Sequence, residues 1–402
     1  VALDDSSGGF AVPLRRITAY DVGLAFSLIF PSTAIFNKGQ YALLAAYIVV
    51  ACAALWLATR HVLPWLNRKL PQRWASVVVL VALLGGTAVA REIVHPRIDT
   101  TGFRIAGMRI GASDNDDAID AALKELSAGR YPYYVKTFLG HPLSPLPGAL
   151  LLAWPFYLLG DSARQNIFWL AVFFIAVGWR RGHRFAAMAA ALVVFLSPNV
   201  FYQQMQGMDY AANAIYVGLF AVLLVHGAGR RGVSLGTVAA AIMFGIALSS
   251  RLNFLLLVPF TASALVRATN LRTAAILGAI VASAFVACTA PFYFYDPAGF
   301  SPLHTLGKIN GDGRLPAASI AVPALAVLSS AWLLWRRRRS DYSLAAAARD
   351  AFAIMALLTV CATIVFLITT NEARLVPMHF GMFFLFYGLI GFWPPWLYSR
   401  DP

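Results

Sequence analysis

The sequence predicts an all-α polytopic membrane protein, and three observations predict it. Apolar residues make up 59% of the chain, charged residues only 12%, and the mean hydropathy is +0.68. Apolar runs of about 16–21 residues recur nearly end to end, long enough for helices that cross a hydrocarbon core. The basic residues behind the net charge of +14 stand in short clusters between those runs, among them Arg180-Arg181, Arg230-Arg231 and Arg336 to Arg339. That is the pattern of cytoplasmic loops, with membrane lipids and not nucleic acid as the partner of the positive charge.

Arg15 and Arg16 precede the first predicted span, about 20–36, as in a cytoplasmic tail, and Asn37 to Gln40 turn the chain into a second span, about 41–60. Arg60, Arg68, Lys69 and Arg73 mark the cytoplasmic side, so a third span, about 74–90, runs outward and residues 91–144 lie outside. Further spans are predicted at about 166–179, 185–201, 211–229, 233–250, 252–266, 273–292, 317–335, 350–369 and 378–396, which keep every later basic cluster cytoplasmic. Counting the apolar run 145–160 as a crossing would invert those clusters, and Pro145, Pro147 and Pro155 interrupt its helix hydrogen bonding. An interfacial or re-entrant helix packed under the outer loop is expected there instead. The expectation is a bundle of about twelve crossings with both ends inside. It comprises a tail and extra hairpin over 1–73, a membrane module over 74–396 and a tail over 397–402. Alanine- and arginine-rich usage with few lysines fits the cytoplasmic membrane of a high-GC bacterium. Cys52, Cys288 and Cys361 all sit inside apolar runs, so neither a disulfide framework nor a zinc site is indicated.

The interval 91–144 is the one long stretch of dense polar character. Within it, Ser113-Asp114-Asn115-Asp116-Asp117 leads into an amphipathic helix. Ala118, Ile119, Ala121, Ala122, Leu123 and Leu126 form its apolar stripe, with Asp117, Asp120, Lys124 and Glu125 largely opposite. Asp114 or Asn115 stands where a side chain can cap free backbone N–H groups. The other reading of Asp114 is a general base, its proton affinity raised by partial desolvation and by the neighbouring carboxylates. Asp114, Asp116 and Asp117 also supply hard oxygens for a divalent cation, Mg or Mn, although the spacing lacks the glycine and distal glutamate of an EF-hand loop.

Several further features fall in a recognisable order. Asp114 is followed by Gly129 and by His141-Pro142-Leu143-Ser144-Pro145-Leu146-Pro147, then Leu150 to Gly160. Met208-Asp209 follows Pro198, Ser249-Ser250-Arg251 precedes Leu255 to Pro259, and Arg374-Leu375-Val376-Pro377 precedes the last span. Over about 75–396 the chain resembles the GT-C superfamily of integral membrane glycosyltransferases, nearest to the protein O-mannosyltransferases and the lipid A aminoarabinose transferases. Asn115 stands where that family has a glutamate, and two spans precede the one that corresponds to the family's first.

The resemblance implies sugar transfer from a polyprenyl-phosphate sugar donor to a glycan, lipid or protein acceptor hydroxyl on the extracytoplasmic face. Asp114 would be the base and Asp209 the second acidic position, with Asp116 and Asp117 as supporting or metal-holding acids. Cations stabilise a departing phosphate; Arg374 and Arg251 are the candidates, with Arg130, Lys136 and Lys308 behind them. Tyr133, Tyr134, His141 and His304 are candidate substrate-lining residues.

Each of these residues has a plainer reading as well. Asp209 could cap the following helix, Arg251 could reach lipid headgroups, and Arg374 could pair with Glu372. The histidines could be structural and the tyrosines interfacial anchors. A transporter or flippase of lipid-linked saccharides is the competing function. It calls for polar residues along the middle of several spans, where the sequence offers only Thr87, Ser283 and, near a span end, Asp21. A non-catalytic assembly factor would give no reason for acids and bases to converge on one side.

Overall fold

In a bilayer each backbone N–H and C=O must be satisfied within its own segment, so apolar runs free of interior breakers fold as helices. The computed structural model describes residues 17–36, 39–69, 73–98, 103–105, 108–110, 113–180, 184–304, 313–337, 343–370 and 375–393. Helix α1 is Ala19–Ile29; α2 (Tyr41–Leu57), a π-helical turn (Ala58–Val62) and α3 (Leu63–Lys69) run on as one helix; α4 is Arg73–Ile98. A short antiparallel hairpin, β1 (Phe103–Ile105) and β2 (Met108–Ile110), precedes α5 (Asn115–Ser127) and α6 (Pro147–Leu158). Then come α7 (Gln165–Arg180), α8 (Arg184–Val194), α9 (Pro198–Met205), α10 (Tyr210–Arg231) and α11 (Leu235–Leu248). The chain continues with α12 (Val258–Ala268), α13 (Leu271–Tyr295), α14 (Ala318–Arg337), α15 (Leu344–Thr369) and α16 (Met382–Gly391).

Among the described residues, six helices are long and apolar enough to cross a membrane: Tyr41–Lys69, Trp74–Ile98, Tyr210–Arg231, Leu271–Tyr295, Ala318–Arg337 and Leu344–Thr369. The chain is an α-helical polytopic membrane protein. The expected twelve crossings are met only to that extent, because the other expected spans are helices shorter than 18 residues or bent. The span expected at 185–201 is one correction: α8 and α9 meet at 83°. Pro198 has no N–H to continue the α8 ladder and disfavours helical backbone at Ser197, so the chain breaks there and restarts.

The bundle packs closely through small residues. Ala186, Ala187, Ala189, Ala190 and Ala191 of α8 are all buried, and a Cβ on Gly245 of α11 would meet the Val281 carbonyl of α13 at 2.4 Å. Phe174, Tyr216, Phe384 and Phe386 fill the centre. Exposed Val49, Val78, Val81, Leu328 and Ile368 lie outside, an apolar surface suited to lipid. Arg60 donates to both carboxylate oxygens of Asp21, at 2.8 and 2.7 Å, and so ties α1 to the π-helical turn.

A cap layer built from α5, α6 and their loops covers the end of the bundle where α4, α11 and α13 finish. It has its own small core of Ile119, Leu123, Tyr133, Leu143, Leu146 and Phe300. Four attachments fix it. The N-terminal amides of α6, exposed donors in any helix, reach the end of α11: Leu146 N donates to Ser250 O at 3.0 Å and Gly148 N to Ser249 O at 2.7 Å. Gly148 is required here, since a Cβ would stand 2.0 Å from the Ile246 carbonyl oxygen. Ser301 Oγ donates to Leu143 O and Tyr131 OH to Phe292 O, each at 2.8 Å. Arg91, 1% exposed, pairs with Asp161 just before α7.

Two further points bear on the expectations. With 12 residues α6 rises about 18 Å, well short of a bilayer core of about 30 Å, in keeping with the non-crossing helix expected at 145–160. The third span does not end at 90: α4 runs to Ile98. Its last turns carry Arg91, Glu92 and His95, which resemble a loop in composition, but Asp161, Arg164 and Asp116 of the cap layer receive them.

Candidate functional site

The site gathers at the start of α5. Asp114 occupies the N-cap position but its side chain makes no capping bond. Ser113 takes that place, its Oγ accepting from the backbone N of Asn115 at 3.4 Å and from Asn115 Nδ2 at 3.1 Å. The Asp114 carboxylate turns instead to the 137–141 loop. Its Oδ2 accepts from Thr137 Oγ1 at 2.6 Å and lies 2.8 Å from His141 Nδ1. A carboxylate accepts only, so in that contact Nδ1 carries the proton and Nε2 is the free ring nitrogen. The loop is shaped for this by a bridge between Lys136 and Pro142 and by Gly140 at φ +79°, a backbone that suits glycine.

The next residue extends the site into the bundle. Asn115 Oδ1 accepts from Tyr210 OH at 3.1 Å, and the Arg251 guanidinium lies over the Tyr210 ring, 4.8 Å from its centroid. Arg251 does not reach out to headgroups; its side chain is 11% exposed and its Nη2 donates to Asp209 Oδ1 at 2.6 Å. Asp209 Oδ2 accepts from Asn213 Nδ2 at 2.9 Å. Asp209 therefore makes no side-chain cap on α10 and is 1% exposed; it holds Arg251, whose Nε has no partner among the described residues.

The other acids diverge. Asp116 Oδ2 lies 3.1 Å from His95 Nε2, and His95 Nδ1 lies 2.9 Å from the Met205 carbonyl oxygen. Gly207, at φ +69°, lets the backbone pass under Asp116, whose Oδ2 would be 2.3 Å from a Cβ there. Asp117 turns to the Phe138 backbone, and burial, then the Asp116 charge, push its carboxyl above the usual range. Asp120 is pushed up to about 6 by burial while it accepts from the Ser162 backbone N at 3.3 Å. Among the described residues no three histidine, cysteine or carboxylate side chains come together as a metal-holding group. The three aspartates expected to share a cation each have a different neighbour.

Of the remaining expected residues, Lys136 is exposed on the Asp114 loop. Arg130 stands apart, 60% exposed and bonded through Nε to Glu125 at 2.5 Å. Tyr133 is core, packed edge-on to Phe300 and Phe292, while Tyr134 is 61% exposed and donates to Asp296 at 3.0 Å. His304 turns back onto the Ser301 carbonyl of its own turn. Arg374 and Lys308 lie outside the described residues.

Thr137, Tyr210 and His95 belong to the site, and the sequence alone does not single them out. Tyr210 is adjacent to Asp209 and Thr137 stands four residues before His141, but neither spacing signals a role without the fold. No family model, no curated protein and no solved structure matches the chain.

Proposed function

We propose that the protein is a membrane glycosyltransferase, moving a sugar from a polyprenyl-phosphate donor to an acceptor hydroxyl on the extracytoplasmic face of a bacterial cytoplasmic membrane. In this reading it is a GT-C-like bundle of about twelve crossings. The observation that carries the reading is Asp114: a carboxylate at a helix start that does not cap, held by Thr137 and His141, and joined through Asn115 and Tyr210 to buried Arg251.

The chemistry follows from these groups. Both side-chain bonds of Asp114 fall on Oδ2, leaving Oδ1 to take the proton of an acceptor hydroxyl. The acceptor oxygen then forms a bond to the anomeric carbon as the bond from that carbon to the phosphate oxygen breaks, in one step with inversion. Polyprenyl phosphate departs with the electron pair, and Arg251, fixed by Asp209, offers positive charge to it. Lys136 is a second cation on the same loop. No step is assigned to a divalent cation, since Asp114, Asp116 and Asp117 each turn to a different neighbour.

The test is release of polyprenyl phosphate from a panel of polyprenyl-phosphate sugars, with a membrane extract supplying acceptors. Release by the wild type and a fall of at least about a hundredfold in Asp114→Asn are expected; equal release by the two proteins would refute the assignment of the base. Added chelator resolves the cation requirement.

One observation favours a second reading, a transporter or flippase of lipid-linked saccharides. The 83° break between α8 and α9 leads into a buried run of amide side chains, and discontinuous helices of this kind line substrate paths in transporters. Movement of a fluorescent lipid-linked sugar across a reconstituted bilayer, unaffected by Asp114→Asn, would select it.

A further inference from the structure

Helix α9 and the turn after it carry hydrogen-bonding capacity that the described residues do not use. Asn199, Gln203, Gln204 and Gln206 are each 0% exposed. Asn199 Oδ1 meets His379 Nδ1 at 2.9 Å, and Gln203 Nε2 donates to the His379 carbonyl at 3.2 Å. Asn199 Nδ2, Gln203 Oε1 and both amide atoms of Gln204 and of Gln206 have no partner among the described residues. Buried amides are rarely left so, because each unpaired atom forfeits its bonds to water. Here they cluster on one short helix set at 83° to its predecessor.

The location is not remote from the chemistry. Gln204 and Gln206 flank Met205, whose carbonyl faces His95, and Gly207 lies directly under Asp116 in the first turn of α5. Asp114 begins that turn.

We propose that the α9 amides form a binding site for an uncharged, polyhydroxylated ligand, a sugar ring held on the bundle side of Asp114. The amides present free donors and free acceptors together, which is what hydroxyl groups, able to give and to accept, complement. The charges nearest the amides, His95 and Asp116, are already matched to each other. A carboxylate or ammonium brought among the amides would lose its water without gaining a counter-ion, so the site discriminates against charged sugars. The proposal takes the sugar class from the lipid-linked sugar reading, and its use in transfer rests on that reading too.

The experiment measures equilibrium binding to the full chain in lipid nanodiscs, without acceptor. The probes are farnesyl phosphate esters of mannose, glucuronic acid and glucosamine, together with free mannose. The mannose ester should bind roughly tenfold or more tightly than either charged ester. Gln204→Leu and Gln206→Leu should each weaken it roughly tenfold while unfolding at no lower temperature than wild type without ligand. Gln204→Met and Gln206→Met serve if a leucine variant fails to fold. Free mannose binding as tightly as its ester would support the site and assign a soluble sugar as its ligand. Equal binding of the three esters, or full affinity in the variants, would overturn the proposal. Amide-dependent binding with no release of polyprenyl phosphate by the wild type leaves this site standing and removes the transfer reading; release without amide-dependent binding removes this site alone.

Discussion

The imidazole of His95, near the end of α4, lies between the Met205 carbonyl oxygen, 2.9 Å from Nδ1, and the Asp116 carboxylate, 3.1 Å from Nε2. A carbonyl accepts only, so Nδ1 carries a proton, and Nε2 and the carboxylate share the other. One ring thereby joins α4, α5 and the end of α9. His95→Gln, which cannot span both partners and leaves Asp116 buried, should lower stability by about 2–3 kcal/mol. Denaturant unfolding in micelles checks this, and full stability in the variant would show the contact to be idle.

Gly207 should not tolerate a side chain. Its φ of +69° and the 2.3 Å separation that a Cβ there would have from the Asp116 carboxylate act together. Gly207→Ala should cost about 2 kcal/mol or more in the same unfolding measurement, and adding Asp116→Ala to that variant should recover part of it.

Asp209 and Arg251 form a buried pair, so the singles and the double should differ in kind. Asp209→Leu alone strands a guanidinium and should cost about 3–5 kcal/mol. Asp209→Leu with Arg251→Met should return most of that stability yet leave polyprenyl phosphate release abolished, measured on the same preparations.

Thr137 positions Asp114 through its 2.6 Å hydrogen bond. Thr137→Val keeps the shape and removes the donor, so kcat for release should fall about ten- to hundredfold with KM little changed. Thr137→Ser should restore it, which a purely structural role would not require.

Asp120 gives the cap layer a pH dependence. Its carboxyl is raised from 3.8 to about 6, so between these values the folded protein binds more protons than the unfolded chain. Stability therefore falls as pH rises from about 4 to about 6, and the contribution is complete only below the lower value. The loss is on the order of 1–2 kcal/mol once partial exposure is allowed for. Asp120→Asn should flatten the slope of unfolding free energy against pH in that window.

Much of this architecture is legible in the chain because membrane helices announce themselves by composition. The runs around Tyr41–Leu57 and Leu344–Thr369 admit no other fold in lipid. The start of α5 is legible as well, since an acid opens an amphipathic run there, but that Ser113 and not Asp114 bonds the first turn depends on the fold. What sequence conceals are side-chain partners brought from far along the chain. For Arg251 the sequence offers a donor phosphate or lipid headgroups as partner, because nothing in its neighbourhood names Asp209, 42 positions away. His95 is hidden for a related reason: polar residues at a helix end read as loop until the cap layer supplies Asp116 and Asp161 as their partners. The amides of α9 are masked by averaging, because a short polar stretch beside the alanines of α8 hardly changes the hydropathy of a span.

The attachments of the cap layer have a mechanical consequence. Gly148 against Ile246, Ser301 to Leu143, Tyr131 to Phe292 and Arg91 to Asp161 secure it to α11, α13 and α4 at separate points. A roof bolted at several corners does not swing open at one edge. For the lipid-linked donor proposed above, such a fixed roof would make the approach to Asp114 a sideways one from the bilayer, with no part for a lifting lid.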